Sequence, residues 1–404
     1  MTTPRFSQAF ANPAGSPIRE LFPYLSRPGM ISFAGGYPSA SLFDAEGLVE
    51  ASRRALLDSP GCLQYGATEG SLPFRERLAQ LMSARGISSP ASDILVTTGS
   101  QQAFDLLVRV LVEPGDTVLV ETPAYPAAIQ ALRLAGAKIV GIPVDHDGLN
   151  VDTLAELLAP PHAPRPKLLY TVPTFSNPSG TFLSPERRQK LVELAHRYGF
   201  PVIEDDPYSE LRFEALDVHT LYAIGQKQFS AESPVIYLSS LSKTVSPALR
   251  LGWMVAPLEV IRRCAIAKQT ADLCTSPFAQ AVADAYLQLG RYDETVRRAS
   301  AEYKNRMNTL VDAIDTSLGA RLQCRRARGG MFLWAELSTG IDTQRLFHAC
   351  VEAGVLYVPG TAFYPGTPVK NTLRLSFAAT QVPDIVEGVR RFAQAISTVE
   401  ANEA

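Results

Sequence analysis

The chain of 404 residues contains only five cysteines and five histidines. The cysteines are scattered and form no Cys-x-x-Cys pair, so the sequence predicts neither a zinc site nor a disulfide framework. The histidines form no cluster with metal-ligand spacing, which argues against a metal centre. Free thiols are typical of reducing compartments, and we therefore expect a cytoplasmic protein.

Long apolar runs and a strong net charge are also absent. Residues 1–8 lack the apolar core of a signal peptide, and no segment approaches the length of a membrane span. The formal net charge of -2 leaves no electrostatic footprint for nucleic acid or for an anionic membrane. We therefore expect neither nucleic acid nor a membrane as a partner.

The remaining composition is that of an ordinary globular protein, with 46% hydrophobic and 19% charged residues. We interpret residues 1–45 as an N-terminal arm, with a short helix over residues 17–25 that Ser16 caps. Residues 46–290 alternate between helical and strand patterns, which predicts a large domain with a mostly parallel sheet covered on both faces. Residues 291–404 begin with a long helix and continue as a smaller α+β domain.

Polar side chains follow three of the predicted strands, at the point where each strand ends. Ser100 and Gln101 come directly after Gly99 and begin a helix, which is a natural seat for an anion. Tyr125 follows the next strand, and Asn177 follows a third, where an Asn-Pro pair is equally typical of a plain turn. Open α/β sheets bind ligands at this edge, so these side chains are candidates for a binding site.

A further buried strand leads into three acids, Glu204, Asp205 and Asp206. Such a cluster needs a cation, a metal or a protonated ring nitrogen beside it. Because no histidine cluster is nearby in the sequence, a ring nitrogen is favoured over a metal. Adjacent strand residues point to opposite faces, so only one of the two aspartates can face a ligand.

The most informative stretch surrounds Lys243, which lies in a turn between two apolar strands. An amine in that position is desolvated, so its pKa falls and it becomes a nucleophile toward carbonyl groups. Ser240 and Ser242 flank the lysine and Arg250 follows it, a set of donors that suits a phosphate. An aldehyde that carries a phosphate fits both properties, and pyridoxal 5'-phosphate (PLP) is such a compound.

Five motifs occur in one order along the chain: Gly-Ser-Gln (99–101), Asn-Pro-Ser-Gly (177–180), Asp-Asp-Pro-Tyr (205–208), Ser-Leu-Ser-Lys (240–243) and Leu-Arg-Leu-Ser-Phe (373–377). With these motifs the chain resembles the class I/II aminotransferases of PLP fold type I over nearly its whole length. The segments 16–20 and 31–36 are most similar to the branch that holds aminoadipate (LysN-type) and kynurenine aminotransferases. The resemblance implies an α/β fold, with a mostly parallel seven-stranded sheet in the large domain and a smaller α+β domain.

The resemblance also implies roles around the cofactor. Lys243 is expected to form the Schiff base with PLP and to move a proton at the substrate Cα. Asp205 is expected to pair with the pyridinium nitrogen, while Tyr125 lies over the ring face. Asn177 and Tyr208 are expected to hydrogen-bond the 3-oxygen of the ring. The implied phosphate-binding residues are Ser100, Gln101, Ser240, Ser242 and Arg250.

Substrate contacts and the quaternary structure follow from the same resemblance. Arg374, assisted by Asn177, is expected to bind the substrate α-carboxylate. Tyr65 resembles a tyrosine that reaches the phosphate of the neighbouring subunit, which implies a homodimer with shared active sites.

The substrate side chain is expected to contact the arm and the turn that follows it. The paired glycines before Tyr37 are expected to bring the backbone at Gly36 close to a ligand. Arg19 is expected to bind a distal carboxylate. Tyr37, Tyr125 and Phe363 are expected to offer aromatic surface. Tyr37 stands where the family often has leucine, so substrate preference does not carry over directly.

The expected reaction is ping-pong transfer of an amino group from an L-α-amino acid to a 2-oxo acid such as 2-oxoglutarate. The donor side chain is expected to be aromatic, aliphatic or aminoadipate-like. One alternative keeps the fold and changes the reaction to that of a PLP-dependent lyase, decarboxylase or racemase. A second alternative is a regulator that senses PLP, which would need a DNA-binding domain ahead of a fold that here starts within the first few dozen residues.

Overall fold

The computed structural model describes residues 4–11, 13, 15–162, 165–217, 219–338 and 340–403. The α-helices are α1 Phe22–Leu25, α2 Ala45–Asp58, α3 Leu72–Ser83, α4 Ser100–Leu111, α5 Pro126–Leu134, α6 Val151–Leu158, α7 Pro185–Tyr198, α8 Leu221–Phe229, α9 Leu258–Gln269, α10 Pro277–Gln288, α11 Tyr292–Ser317, α12 Thr343–Glu352 and α13 Val382–Glu403. The strands are β1 Ile31–Ser32, β2 Ile94–Thr97, β3 Thr117–Thr122, β4 Lys138–Asp145, β5 Gly148–Leu149, β6 Leu168–Thr171, β7 Val202–Asp205, β8 Val235–Ser240, β9 Gly252–Val255, β10 Leu322–Cys324, β11 Phe332–Leu337, β12 Val355–Leu356, β13 Val358–Pro359 and β14 Thr372–Ser376. None of the described helices is both long and apolar enough to cross a bilayer.

The large sheet has the order β2-β9-β8-β7-β6-β3-β4-β5. Strands β8, β7, β6, β3 and β4 pair in parallel, whereas β9 is antiparallel to both of its neighbours. The mostly parallel α/β sheet is therefore confirmed. It has eight strands where seven were expected, because the two-residue strand β5 turns back on the end of β4.

The central strands are buried on both faces because helices cover each side of the sheet. Successive residues alternate between two hydrophobic clusters: Leu168 and Ile203 belong to one, and Leu169 and Val202 to the other. This alternation is the two-residue period of a strand. It decides which side chains at the strand ends face the cavity described below.

A second, four-stranded antiparallel sheet has the order β10-β11-β14-β13. Helix α11 leads into it from the large sheet, as the sequence predicted, and packs on α13. Strand β1 pairs with β12, so the second half of the N-terminal arm is attached to the C-terminal part of the molecule. Arg374 lies in the middle of β14, where it pairs with Trp334 and Val358 in the sheet register.

The predicted arm helix is shorter than expected and begins later. A 3-10 turn covers Arg19–Leu21 and α1 follows it. Ser16 contributes through its backbone carbonyl, which accepts a hydrogen bond from the backbone N–H of Arg19 (2.9 Å). Pro23 lacks an N–H group and is tolerated only in the first turn of an α-helix, so the segment divides just before it.

Candidate active site

A cavity of about 280 Å³ lies at the carboxyl ends of the parallel strands. Most of the residues singled out from the sequence line it: Gly36, Tyr37, Ser100, Gln101, Tyr125, Asn177, Asp205, Tyr208, Ser240, Ser242, Lys243, Arg250 and Arg374. Arg19 and Tyr65 are not in its wall. Residues far apart in the sequence therefore meet at one edge of the sheet.

Asp205 is the last residue of β7 and is almost completely buried. Its Oδ2 accepts a hydrogen bond from the Tyr170 hydroxyl (2.8 Å), whereas its Oδ1 has no partner among the described residues. Burial raises the pKa of this carboxyl to about 6, and the neighbouring hydroxyls of Tyr170 and Ser100 oppose the rise. One buried carboxylate oxygen is thus left for a donor that enters the cavity.

The two neighbouring acids have partners outside the cavity. Glu204 accepts hydrogen bonds from the first two backbone N–H groups of α8, at 2.9 and 2.8 Å. Asp206 accepts from the Tyr237 hydroxyl (2.9 Å) and from the backbone N–H of Ser209 (3.2 Å). The strand alternation therefore turns only the middle acid toward the cavity.

Lys243 lies in the turn after β8, and its Nζ donates to the backbone carbonyl of Gly36 (3.0 Å). Burial and the positive charges of Arg250 and Arg374 together lower the pKa of this amine to about 8, and Asp205 opposes the fall. A larger fraction of the amine is therefore neutral near physiological pH than for an exposed lysine. This property suits a nucleophile.

The candidate phosphate site combines the N-terminus of α4 with the segment between β8 and β9. The Ser240 hydroxyl donates to Ser242 (2.8 Å) and accepts from its backbone N–H (3.0 Å). Gly99, with φ of +80°, allows the chain to turn into α4, and a Cβ there would come within 2.9 Å of the Arg250 guanidinium. Backbone N–H groups, hydroxyls and a guanidinium thus surround one end of the cavity.

Arg374 is a completely buried guanidinium. Its Nη1 donates to Asn177 Oδ1 (2.8 Å), its Nη2 donates to the Ala34 carbonyl (2.7 Å), and its Nε has no partner. The rings of Phe332 and Phe363 lie 4.4 and 5.1 Å from the guanidinium carbon. Burial lowers the pKa to about 10, and no carboxylate forms an ion pair with Arg374 within the part of the chain described. A buried cation without an anion is costly, so this group is prepared for an anionic ligand.

Several residues of the site escaped the sequence analysis. Tyr170, the partner of Asp205, lines the cavity from within β6, and the arm contributes an apolar wall made by Ile18, Leu21 and Leu25. Nothing in the sequence marked these residues, apart from the apolar spacing of the arm segment. Phe363 was expected to offer aromatic surface in the cavity, but it packs on Arg374 and is not part of the cavity wall.

The family profile of Aminotransferase class I and II matches residues 33–392, which is most of the chain. The chain belongs to this aminotransferase family. Aromatic-amino-acid aminotransferase 1 of Thermococcus litoralis is 39% identical over 97% of this chain and 94% of its own length. The 2-aminoadipate transaminase of Thermus thermophilus is 37% identical over 97% of both chains.

Two solved structures share the fold of this aminotransferase. LysN of Thermus thermophilus, an alpha-aminoadipate aminotransferase complexed with N-(5'-phosphopyridoxyl)-L-leucine, superposes with a TM-score of 0.90 at 35% identity, covering 98% of each chain. Kynurenine aminotransferase of Pyrococcus horikoshii gives a TM-score of 0.92 at 38% identity, covering 98% of this chain and 97% of its own. The fold is PLP fold type I, as the sequence predicted.

The aminotransferase catalyses PLP-dependent transamination, and the cavity residues fit this cofactor. The unpartnered Oδ1 of Asp205 matches a protonated ring nitrogen, and the lowered pKa of Lys243 matches an amine that reacts with an aldehyde. The donors around Gly99 match a phosphate. Because glycine has no side chain, the space beside the Arg250 guanidinium stays open, whereas a Cβ at this position would fill it. Cofactor chemistry and cavity chemistry therefore agree at three points.

Replacing Asp205 with asparagine tests which acid serves the cofactor. An amide cannot balance the charge of a protonated ring nitrogen, so Asp205→Asn is expected to lower kcat by about 10²–10³-fold, as for other preorganised electrostatic contacts. Asp206→Asn, the matched control, is expected to retain most of the activity because its side chain contacts Tyr237 and Ser209 instead. Steady-state kinetics of both variants would show the opposite order if Asp206 were the functional acid.

The lowered pKa of Lys243 predicts the pH dependence of cofactor uptake. Only the neutral amine attacks the aldehyde, so the rate at which cofactor-free enzyme takes up PLP should rise as pH increases through about 8. The absorbance change of the cofactor reports this rate in stopped-flow measurements. An inflection near 10.5, the ordinary value for lysine, would show that the surroundings do not desolvate the amine.

Proposed function

We propose that this aminotransferase transfers the amino group of an L-α-amino acid with an aromatic, aliphatic or aminoadipate-like side chain to a 2-oxo acid such as 2-oxoglutarate. Both substrates use the same cavity in turn, in a ping-pong sequence. The observation that carries the proposal is the apolar wall formed by Ile18, Leu21 and Leu25 beside the buried cation Arg374. The relatives named as aromatic-amino-acid, 2-aminoadipate and kynurenine aminotransferases support it, as does the leucine adduct bound to LysN.

In this proposal the cofactor is held at both ends. Asp205 Oδ1 accepts from the ring nitrogen, Tyr125 covers one ring face, and Asn177 and Tyr208 bind the 3-oxygen. Burial raises the pKa of both tyrosines, so they stay neutral hydrogen-bonding groups near pH 7. The phosphate is bound by Ser100, Gln101, Ser240, Ser242 and Arg250.

When bound, PLP supplies an aldehyde that combines with amines and a ring that accepts the electron pair released at the substrate Cα. The chain itself supplies the amine and the proton transfer. Lys243 Nζ would hold the cofactor through its aldehyde, and as a free amine the same Nζ would take the proton from the substrate Cα and return it to the cofactor carbon. A pKa of about 8 suits this role, because a general base is most effective when its pKa lies near the working pH.

The substrate α-carboxylate is bound by Arg374 with help from Asn177. Arg374 Nη1 is already oriented by Asn177, and Nε is buried and unpartnered. A carboxylate brings two acceptor oxygens and the missing negative charge, so binding relieves the cost of the buried cation. Fixing the carboxylate also orients the Cα–H bond toward Lys243.

A distal carboxylate requires an additional cation. Lys243, Arg250 and Arg374 line the cavity, and each already has a role in the proposed chemistry. Arg19 is exposed and precedes the wall residue Leu21 by two positions, so a small rotation of the arm segment would exchange an apolar surface for a guanidinium. We assign Arg19 to dicarboxylates, and Gly36 and Tyr37 to the surface beside the side chain of either substrate.

An Arg19→Ala variant should separate the two substrate classes. Losing a charge-assisted contact costs about 1.5–3 kcal/mol, so kcat/KM for 2-oxoglutarate, glutamate and 2-aminoadipate is expected to fall roughly ten- to a hundredfold. Phenylalanine and leucine should be nearly unaffected, because they use the apolar wall. Separate half-reactions measure each class directly. Equal losses for both classes would mean that Arg19 supports the arm and does not bind substrate.

The proposal includes a homodimer with shared active sites. Tyr65 is 79% exposed, and Leu63, Leu72 and Phe278 are also exposed around it. Gly66 packs against Pro277, so the segments that carry Tyr65 and Phe278 lie next to each other. A second copy of the chain that covers this patch would bring Tyr65 to the phosphate of the opposite cavity.

Mixing two inactive variants tests the shared site. In a heterodimer of Lys243→Ala and Tyr65→Ala, one cavity has both mutations and the other has neither. Mixed and reassembled subunits should therefore regain up to about a quarter of wild-type activity per enzyme, by random pairing of the two chains. Activity no greater than that of the Tyr65→Ala homodimer would show that Tyr65 does not act across subunits.

The remaining assignments concern organisation and location. We assign residues 1–45 to an arm that covers the cavity, residues 46–290 to the PLP-binding domain and residues 291–404 to the small domain. The described cysteines are all free thiols, which supports a cytoplasmic location.

A further inference from the structure

We infer that Glu121 is a positioning residue for the carboxylate-binding pair Asn177 and Arg374, an inference that rests on the function proposed above. Glu121 lies near the end of β3 and is 4% exposed. It does not line the cavity, and no basic side chain forms an ion pair with it in the described portion of the chain. A buried acid without a cation needs a specific reason to be present.

The hydrogen-bond partners of Glu121 lie at the end of the neighbouring strand β6 and in the loop that follows it. Its Oε1 accepts from the Thr171 hydroxyl (2.5 Å) and from the backbone N–H of Val172 (3.1 Å). Its Oε2 accepts from the Ser176 hydroxyl (2.8 Å). One carboxylate therefore binds both ends of the loop 172–176, and Asn177 follows directly.

This loop needs such support because its backbone is strained. Phe175 has φ of +54°, a left-handed conformation that a bulky residue rarely adopts. The Phe175 side chain is packed against Gly329 and Gly330: a Cβ at Gly329 would collide with the ring, and one at Gly330 with the Cβ of Phe175. Strained conformations persist only where the surroundings hold them, and they concentrate at functional sites.

The contacts continue from the loop to the substrate site. Ser176, held by Glu121, precedes Asn177, whose Oδ1 accepts from Arg374 Nη1 (2.8 Å). Glu121 also stands four residues before Tyr125 on the adjacent loop. The carboxylate thus connects the loop that carries the ring-covering tyrosine with the loop that orients the buried guanidinium.

Three substitutions measure this connection. Glu121→Ala removes all three hydrogen bonds, and Ser176→Ala removes only the one next to Asn177. Glu121→Gln keeps a carbonyl oxygen for Thr171 and Val172 and can donate to Ser176, so it should restore the clamp. Asp44→Ala is the matched control: Asp44 is also a buried carboxylate with several donors, including Gly47, Tyr286 and Arg291, but it does not line or adjoin the cavity.

The probe is 3-phenylpropionate, which has the carboxylate of a substrate but no amine to react. In titrations of the holoenzyme, we expect Glu121→Ala to weaken its binding about tenfold, the effect of losing one to two kcal/mol of oriented hydrogen bonding. Ser176→Ala should lose less, and Glu121→Gln should bind like the wild type. PLP affinity should fall by less than probe affinity, because Asn177 is only one of many proposed cofactor contacts, and Asp44→Ala should lower Tm without changing probe affinity.

Two results would overturn the inference. One is that Ser176→Ala and Glu121→Ala bind the probe as tightly as the wild type, whereas Arg374→Lys no longer binds it. That result would leave the proposed role of Arg374 intact. The other is a parallel loss of PLP and probe affinity, which would reveal a purely structural residue. Unchanged probe binding in Arg374→Lys would instead contradict the proposed carboxylate site itself. If Glu121→Ala does not fold, the probe affinity of Ser176→Ala decides. An unchanged affinity overturns the inference, and a weakened affinity supports it.

Discussion

A guanidinium that is fully buried and has no acidic partner among the described residues is the constraint on which this active site depends. Arg374 packs against two phenylalanine rings and is oriented by two carbonyl oxygens, so its charge stays available. Lys243 and Arg250 line the same cavity, and Asp205 is the anion that faces them there. Such an imbalance stabilises bound anions, and both a phosphorylated cofactor and a substrate carboxylate supply the missing charge.

The parallel sheet brings the residues of this site together. Its strands end at one edge, so single residues after β3, β6, β7 and β8 converge there without long loops. The two-residue period then turns Asp205, the middle of three adjacent acids at the end of β7, away from the partners of Glu204 and Asp206. Only Asp205 keeps an oxygen free, and this oxygen faces the cavity that also contains Lys243.

Residues marked by motifs at strand ends were predictable, because sequence position alone places them at the ligand-binding edge. Tyr170 was not, since a strand covered on both faces is apolar throughout and its pattern does not show which side chain faces a ligand. Glu121 was missed because its partner Thr171 lies fifty residues further along the chain. The arm helix was expected over residues 17–25, but only Phe22–Leu25 is α-helical, because the segment divides before Pro23 into a 3-10 turn and a short helix. The role proposed for Tyr65 requires a second copy of the chain.

The central claim is that the cavity beside Arg374 holds PLP on Lys243. Borohydride reduction of the holoenzyme followed by peptide mapping tests it most directly, because reduction fixes the cofactor to the amine that carries it. We predict one modified peptide, which contains Lys243, and none in the Lys243→Ala variant. Lys268 is an informative alternative, since it is also completely buried but pairs with Asp272. Modification of Lys268 or of any other lysine would contradict the account.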